Sequence, residues 1–373
     1  MNENSTLGDK WFGLFDWPLF LLALSISLLG VFVIYSANFA SDSAAFRGLY
    51  LKQLEWNIYG IILMSGVAMM DYRIWERPAY LFYIIFLGLL VAVLAGGRVI
   101  GGSQRWLGFG GLNVQPSEMM KVVLIMALTK YFNYARELAE ELGFKQLLVP
   151  AILTLIPALL IAKQPDLGTA SVLIVIFFAM AFINGIRKNA LIAIIIGMMV
   201  LVPVGWFNLK DYQKNRVLAM IDPTTDPLGT GYHTIQSKIA IGSGGFLGKG
   251  FFAGTQSKLN FLPEKHTDFI FAVYAEEVGF LGVFLLLILF VSLVLRMMDL
   301  IINSKDRIGS LLAAGITGMI GFHFLYNVSM TIGITPIVGI PLPLFSYGGS
   351  ALLTNYAALG ILISIRMRRF RHD

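Results

Sequence analysis

The chain alternates long apolar runs with short polar breaks. Ten runs fall at 17–36, 54–70, 78–95, 116–133, 147–162, 168–186, 189–207, 269–296, 309–332 and 347–366. Each is near the roughly 20 residues that a helix needs to cross a bilayer. The pattern predicts an all-α polytopic membrane protein, a bundle of about ten transmembrane helices in one integral membrane domain over residues 1–373. The longest polar break, about 208–267, predicts a large extracytoplasmic loop between the seventh and eighth spans.

Composition supports that class. Hydrophobic residues are 57% of the chain and charged residues 13%, against roughly 45–50% and 25% in soluble domains. A water-soluble core of this length cannot hide the excess. The absence of cysteine excludes disulfides and thiolate metal sites. The net charge of +6 is spread over loop ends and does not indicate nucleic acid. After a polar tail from Met1 to Lys10, the first run continues for a full span, unlike a cleavable signal.

An even number of spans puts both termini on one side, and Lys/Arg bias selects the side. With the termini inside, the inner breaks hold Lys10, Arg73, Arg77, Lys130, Arg136, Lys145, Arg187, Lys188, Arg296, Lys305, Arg307, Arg366, Arg368, Arg369 and Arg371. The short outer breaks hold only Arg47, Lys52, Arg98, Arg105 and Lys163. Both termini are therefore expected in the cytoplasm, with the 208–267 loop outside.

Most of the unusual polar motifs then collect at the outer face. The stretch Tyr232–Gly279 is rich in glycine and ends in His266-Thr267-Asp268 directly before Phe269-Ile270-Phe271. A carboxylate at the mouth of a membrane segment marks a working site, or else Thr267 or Asp268 caps the next helix. Trp106, after Arg105, suits the membrane interface. Gln115-Pro116 reads as a helix start. Glu118 and Lys121 share a helix face inside an apolar run, as a structural ion pair or as groups that position substrate. Asp166, in the turn Lys163-Gln164-Pro165-Asp166-Leu167-Gly168, is either a helix cap or a second functional carboxylate. Pro336, Pro341 and Pro343 break the last outer segment before Ser346-Tyr347-Gly348-Gly349-Ser350, and exposed backbone at that depth needs protein or a watery cavity beside it.

Other chemistries fail. The four histidines lack metal-ligand spacing, so no metal site is expected. No phosphate-binding GxxxxGK[ST] loop occurs. No internal repeat of the kind that marks transporters is evident.

The runs Ile235-Gln236-Ser237-Lys238, Gly242-Ser243-Gly244-Gly245, Gly254-Thr255-Gln256-Ser257 and Phe261-Leu262-Pro263-Glu264-Lys265-His266-Thr267-Asp268-Phe269-Ile270-Phe271 resemble the SEDS family of shape, elongation, division and sporulation proteins. The 235–245 and 254–257 segments look more like its RodA type, while the FtsW type shares the His266–Phe271 core. The Gln115-Pro116-Ser117-Glu118 and Lys121 pattern and the Ser346-Tyr347-Gly348-Gly349-Ser350 run extend the resemblance, with Ala351 where the family usually has serine.

The resemblance implies a peptidoglycan glycosyltransferase that polymerises lipid II at the outer face of the bacterial cytoplasmic (inner) membrane during elongation. Asp268 is then the expected general base on the acceptor sugar hydroxyl. Glu118, Lys121, Arg105, Trp106, Asp166, Arg216, Gln236, Ser237, Lys238, His266, Thr267, Ser346 and Tyr347 are the expected substrate-binding or supporting residues. Arg105, Lys163, Arg216, Lys238, Lys249, Lys258 and Lys265 form the pool of diphosphate contacts. No tightly bound cofactor is expected, with a divalent cation, Mg or Mn, as a possible aid to the diphosphate. The expected partner is a class B penicillin-binding transpeptidase. Two rival classes are a lipid II flippase, which needs a polar path across the membrane, and a non-enzymatic scaffold, which has no need of the Asp268 carboxylate.

Overall fold

The computed structural model describes residues 13–39, 44–100, 103–109, 112–138, 141–208, 211–226, 229–258, 261–262 and 264–369. Lys10, Gly101, Gly102, Pro263 and Arg371 lie outside the described residues, as does the side chain of Lys258. In chain order the helices longer than four residues are α1 (Trp17–Asn38), α2 (Leu49–Met69), α3 (Ala79–Gly96), α4 (Pro116–Leu138), α5 (Phe144–Lys163), α6 (Leu167–Asn184), α7 (Lys188–Asn208), α8 (Asp211–Ile221), α9 (Thr230–Ser243), α10 (Ile270–Asn303), α11 (Arg307–Thr331) and α12 (Gly349–Met367). All except α8 and α9 coincide with the predicted apolar runs. Seven of them, α1, α3, α5, α6, α10, α11 and α12, are long and apolar enough to cross a membrane by length and composition.

Two polar breaks hold more structure than their sequence suggests. The segment after α3 is an antiparallel ribbon of β1 (Arg98–Ile100), β2 (Ser103–Phe109) and β3 (Leu112–Val114). Arg98 faces Trp106, and Leu107 faces Val114. The 208–267 break carries α8 and α9 and is not an extended loop.

Helix α4 is the core of the bundle, with every residue from Met120 to Thr129 buried. Small residues bring its neighbours close. A side chain at Gly315 of α11 would run into Ile125 and Met180, and one at Gly60 of α2 would strike the Tyr356 ring of α12. Tyr356 in turn donates to Asn57 Oδ1 at 2.7 Å. Pro157 inside α5 cannot donate to the carbonyl four residues back, and the Tyr83 hydroxyl takes that acceptor, Leu153 O, at 2.8 Å.

Helix α10 is broken at Gly279, whose φ is +66°. The break leaves backbone groups that must be paired at membrane depth, and the glycine-rich segment after α9 pairs them. Lys249 N and Gly250 N donate to Glu276 O and Glu277 O at 3.0 and 2.9 Å. Phe280 N and Leu281 N donate to Gly245 O and Phe246 O at 2.9 and 3.1 Å. A Cβ at Gly248 or Gly279 would collide with the opposing backbone, so glycine is required on both sides. The opposite end of the bundle is tied by arginines. Arg296 pairs with Asp16 at 3.0 Å, and Arg73 with Asp306 at 2.8 Å. Arg368 donates to the last carbonyls of α2, Ala68 O and Met69 O, at 3.2 and 2.6 Å.

Candidate active site

Asp268 lies one residue before the cap of α10, at the mouth of the bundle and partly exposed. That cap is Phe269, which offers no side-chain bond, so neither Thr267 nor Asp268 caps the helix. Thr267 closes a local turn instead, donating to Glu264 Oε2 at 3.0 Å. Among the described residues the Asp268 carboxylate makes no hydrogen bond or ion pair. Although the residue keeps some surface, its carboxyl is enclosed, and that desolvation pushes its pKa up to about 7, with Glu264 and Asp166 adding to the rise while Arg105 and Arg216 oppose it. A carboxyl tuned to neutral pH and left without a partner is suited to taking a proton.

The backbone around Asp268 is firmly held. Tyr347 N donates to His266 O at 2.9 Å, Ser346 Oγ to Thr267 O at 2.7 Å, and Asn327 Nδ2 to Asp268 O at 2.9 Å. The His266 ring sits between Phe46 and Tyr347, with centroids 5.7 and 5.8 Å away. Burial holds its imidazole below the ordinary histidine range, helped by Lys265 and opposed by Glu264.

The ribbon and the turn before α6 build the second wall. Asp166 caps α6 by accepting from Thr169 N at 3.0 Å, and its other oxygen accepts from Thr169 Oγ1 at 3.0 Å. It also pairs with Arg105 at 3.4 Å. The two readings of Asp166 are compatible: it caps the helix and charges the site. Arg105, on β2, also donates to Gln164 O and Pro165 O, which fixes the ribbon to the turn. Trp106 is partly exposed on the same strand.

Glu118 and Lys121 are buried in α4 and pair at 2.8 Å. His323 of α11 joins them, its Nε2 lying 3.1 Å from Lys121 Nζ. His323 Nδ1 lies 2.7 Å from Met319 O. With that proton on Nδ1, Nε2 carries the lone pair and accepts from the ammonium. Glu118, His323, Leu342 and Ser346 line a cavity with room for about one water.

The other predicted residues are dispersed. Ser237 donates to Thr331 O at 2.7 Å, and Lys238 lies over Gly333, so both dock α9 on the C-terminal end of α11. Gln236 makes no hydrogen bond among the described residues. Arg216 of α8 reaches Asp268 through its charge. Lys249 is engaged with Glu276 at 2.7 Å. The sequence reading missed His323, Asn327 and Glu264. An intramembrane histidine and asparagine four residues apart in an apolar run were a usable signal. Among the described residues no three His, Cys, Asp or Glu side chains stand together as a metal-binding group.

Comparison with known proteins identifies the family. The family model FTSW_RODA_SPOVE, described as cell cycle protein, matches residues 16–370. Peptidoglycan glycosyltransferase MrdB of Escherichia coli (strain K12) is 39% identical over 355 residues, spanning 95% of this chain and 94% of that one. Peptidoglycan glycosyltransferase RodA of Treponema pallidum is 34% identical over 427 residues, spanning 95% and 98%. A chain from a solved peptidoglycan synthase complex, in which polymerization and crosslinking are coordinated, superposes with a TM-score of 0.82 at 33% identity over 96% of this chain and 99% of that one. The crystal structure of the rod shape determining protein RodA of Thermus thermophilus gives 0.70 at 29% identity over 96% and 98%. The chain belongs to the cell cycle protein family of FtsW, RodA and SpoVE, the SEDS family of polytopic membrane proteins.

Proposed function

We propose that this chain is a peptidoglycan glycosyltransferase of the elongation type, polymerising lipid II at the outer face of the inner membrane. The observation that carries the reading is Asp268: a carboxylate at the bundle mouth with its pKa pushed up to about 7 and no partner among the described residues. The names of the relatives support the activity.

In this reading Asp268 takes the proton from the acceptor sugar 4-hydroxyl. The hydroxyl oxygen attacks the anomeric carbon of the donor on the face opposite its diphosphate. The bond from that carbon to the diphosphate oxygen breaks, and the diphosphate leaves with the electron pair. One displacement converts an α-linked donor into a β-linked strand. Diphosphate is a good leaving group, so one base without a dedicated acid suffices. Of the basic pool, Arg105 and Arg216 are the two whose charge acts on Asp268, so they lead the diphosphate contacts, although Arg105 is also held by Asp166 as Lys249 is by Glu276. A divalent cation has no assembled set of protein ligands among the described residues.

The reading includes ten spans, cytoplasmic termini, an outer 208–267 segment, and a class B penicillin-binding transpeptidase as membrane partner. Gel analysis of strands made from purified lipid II by the purified chain, with and without the transpeptidase, tests the activity; no strands under either condition would refute it. The topology has its own check. A cysteine replacing exposed Asn215 should react with an impermeant maleimide in intact spheroplasts, and labelling only after lysis would invert the protein.

A further inference from the structure

We propose that Asn327 and Ser346 are positioning residues that set where the Asp268 carboxylate stands by holding its backbone. The inference rests on Asp268 being the base. That carboxylate makes no hydrogen bond of its own among the described residues, so its place depends on the peptide that carries it. Three consecutive carbonyls of that peptide, at 266, 267 and 268, accept from Tyr347 N, Ser346 Oγ and Asn327 Nδ2.

Both side chains act as bridges. The Asn327 amide donates a second time, to Ile340 O at 2.7 Å. The Ser346 hydroxyl also accepts from Leu342 N at 2.8 Å. Each therefore has one bond to the Asp268 peptide and one to the 340–346 turn. That turn is stiff, with prolines at 341 and 343 and Leu344 at a φ of +65°. The residue just before it borders the site, because a Cβ at Gly339 would stand 3.3 Å from Asp268 Oδ2.

Asn327 is fully buried, and among the described residues its Oδ1 has no donor. The amide is turned so that its donors reach two carbonyls and its own oxygen goes unpaired. A buried oxygen left unpaired costs stability and calls for a reason, and holding two carbonyls at once supplies one. One turn earlier on α11, His323 contacts Lys121, so the helix that carries the clamp is itself anchored to α4.

The test is steady-state lipid II polymerisation by the purified full-length chain across pH. Asn327→Leu, nearly isosteric, and Ser346→Ala should lower kcat about 10–10²-fold, the scale of a base displaced by about 1 Å, with KM within about twofold. Ser346→Thr keeps the hydroxyl and should recover most of the rate. The acid limb of the profile should move to lower pH, because a looser peptide lets water reach a carboxylate that desolvation had raised. The charged groups facing Asp268 are Glu264 on its own segment, Arg105 from β2, Asp166 from the turn before α6 and Arg216 from α8. All four are unchanged in these variants. A higher KM at parental kcat, an unmoved acid limb, or equal rates for the alanine and threonine variants at 346 would overturn the clamp. If Asn327→Leu does not fold, the Ser346 pair decides. Parental rates from Asp268→Asn would instead refute the general base, whereas an inactive Asp268→Asn beside fully active clamp variants would remove only the clamp.

Discussion

Asp268 and Glu276 are eight positions apart on one stretch of chain, yet the fold treats them in opposite ways. Glu276 is fully buried and accepts from Thr255 N at 2.7 Å, Thr255 Oγ1 at 2.9 Å, Gln256 N at 3.2 Å and Lys249 Nζ at 2.7 Å. Its charge is consumed in fixing the glycine-rich segment over the break in α10. Asp268 is partly exposed, its peptide is clamped, and its carboxylate is left unengaged among the described residues. Burial alone therefore does not identify chemistry. A buried carboxylate with every oxygen engaged is structural, and one held in place but left without partners can take a proton. Glu118 belongs with Glu276, since Lys121 engages it deep in α4.

The largest expected effect is at Asp268. Asp268→Asn should cut strand synthesis from purified lipid II by about 10²–10⁴, the usual worth of a general base. It should not lower the melting temperature. The folded carboxyl binds its proton more tightly than the unfolded one, so charging it costs stability as pH rises from about 4 to about 7. Asn carries no such cost, so the variant should melt higher above pH 7, with the difference fading towards pH 4. Parental synthesis by Asp268→Asn would erase the contrast with Glu276.

Next is Glu118→Ala, which leaves Lys121 without its carboxylate in the bundle. The loss should approach about 2.5–3.5 kcal/mol, the cost of a charge at mid-helix in a membrane, read by thermal unfolding in detergent. Glu118→Ala with Lys121→Ala should recover part of it, and no recovery would mean that pairing is not the reason.

A smaller loss is expected for Glu276→Gln, which keeps an acceptor oxygen but drops the ion pair with Lys249. About 1–3 kcal/mol of stability should go, the range for a buried group that loses its partner. Synthesis per folded molecule should stay within about threefold. A specific loss of kcat at full stability would place Glu276 in the chemistry after all.

The mildest test is pH itself. With Asp268 charged only above about 7, kcat/KM should fall about tenfold per pH unit below that value and level off above it. A profile flat from pH 5 to 8 would contradict the assignment.

The sequence by itself determined the ten long helices, since the length and apolarity of a run are local properties that a bilayer reads directly. It also drew attention to Asp268, Glu118, Lys121, Asp166 and Ser346, because polar residues at membrane depth or beside a proline break are rare enough to stand out. The ribbon at 98–114 and the helices in 208–267 were hidden, since glycine-rich and polar segments carry weak periodicity. Only the tertiary structure decided which polar groups are engaged. His323 meets Lys121 across 202 positions, Asn327 meets Asp268 across 59, and Lys249 meets Glu276 across 27. No local pattern records such a pairing. The same carboxylate in the same apolar setting is a strut or a base according to what the rest of the chain brings within about 3 Å of it.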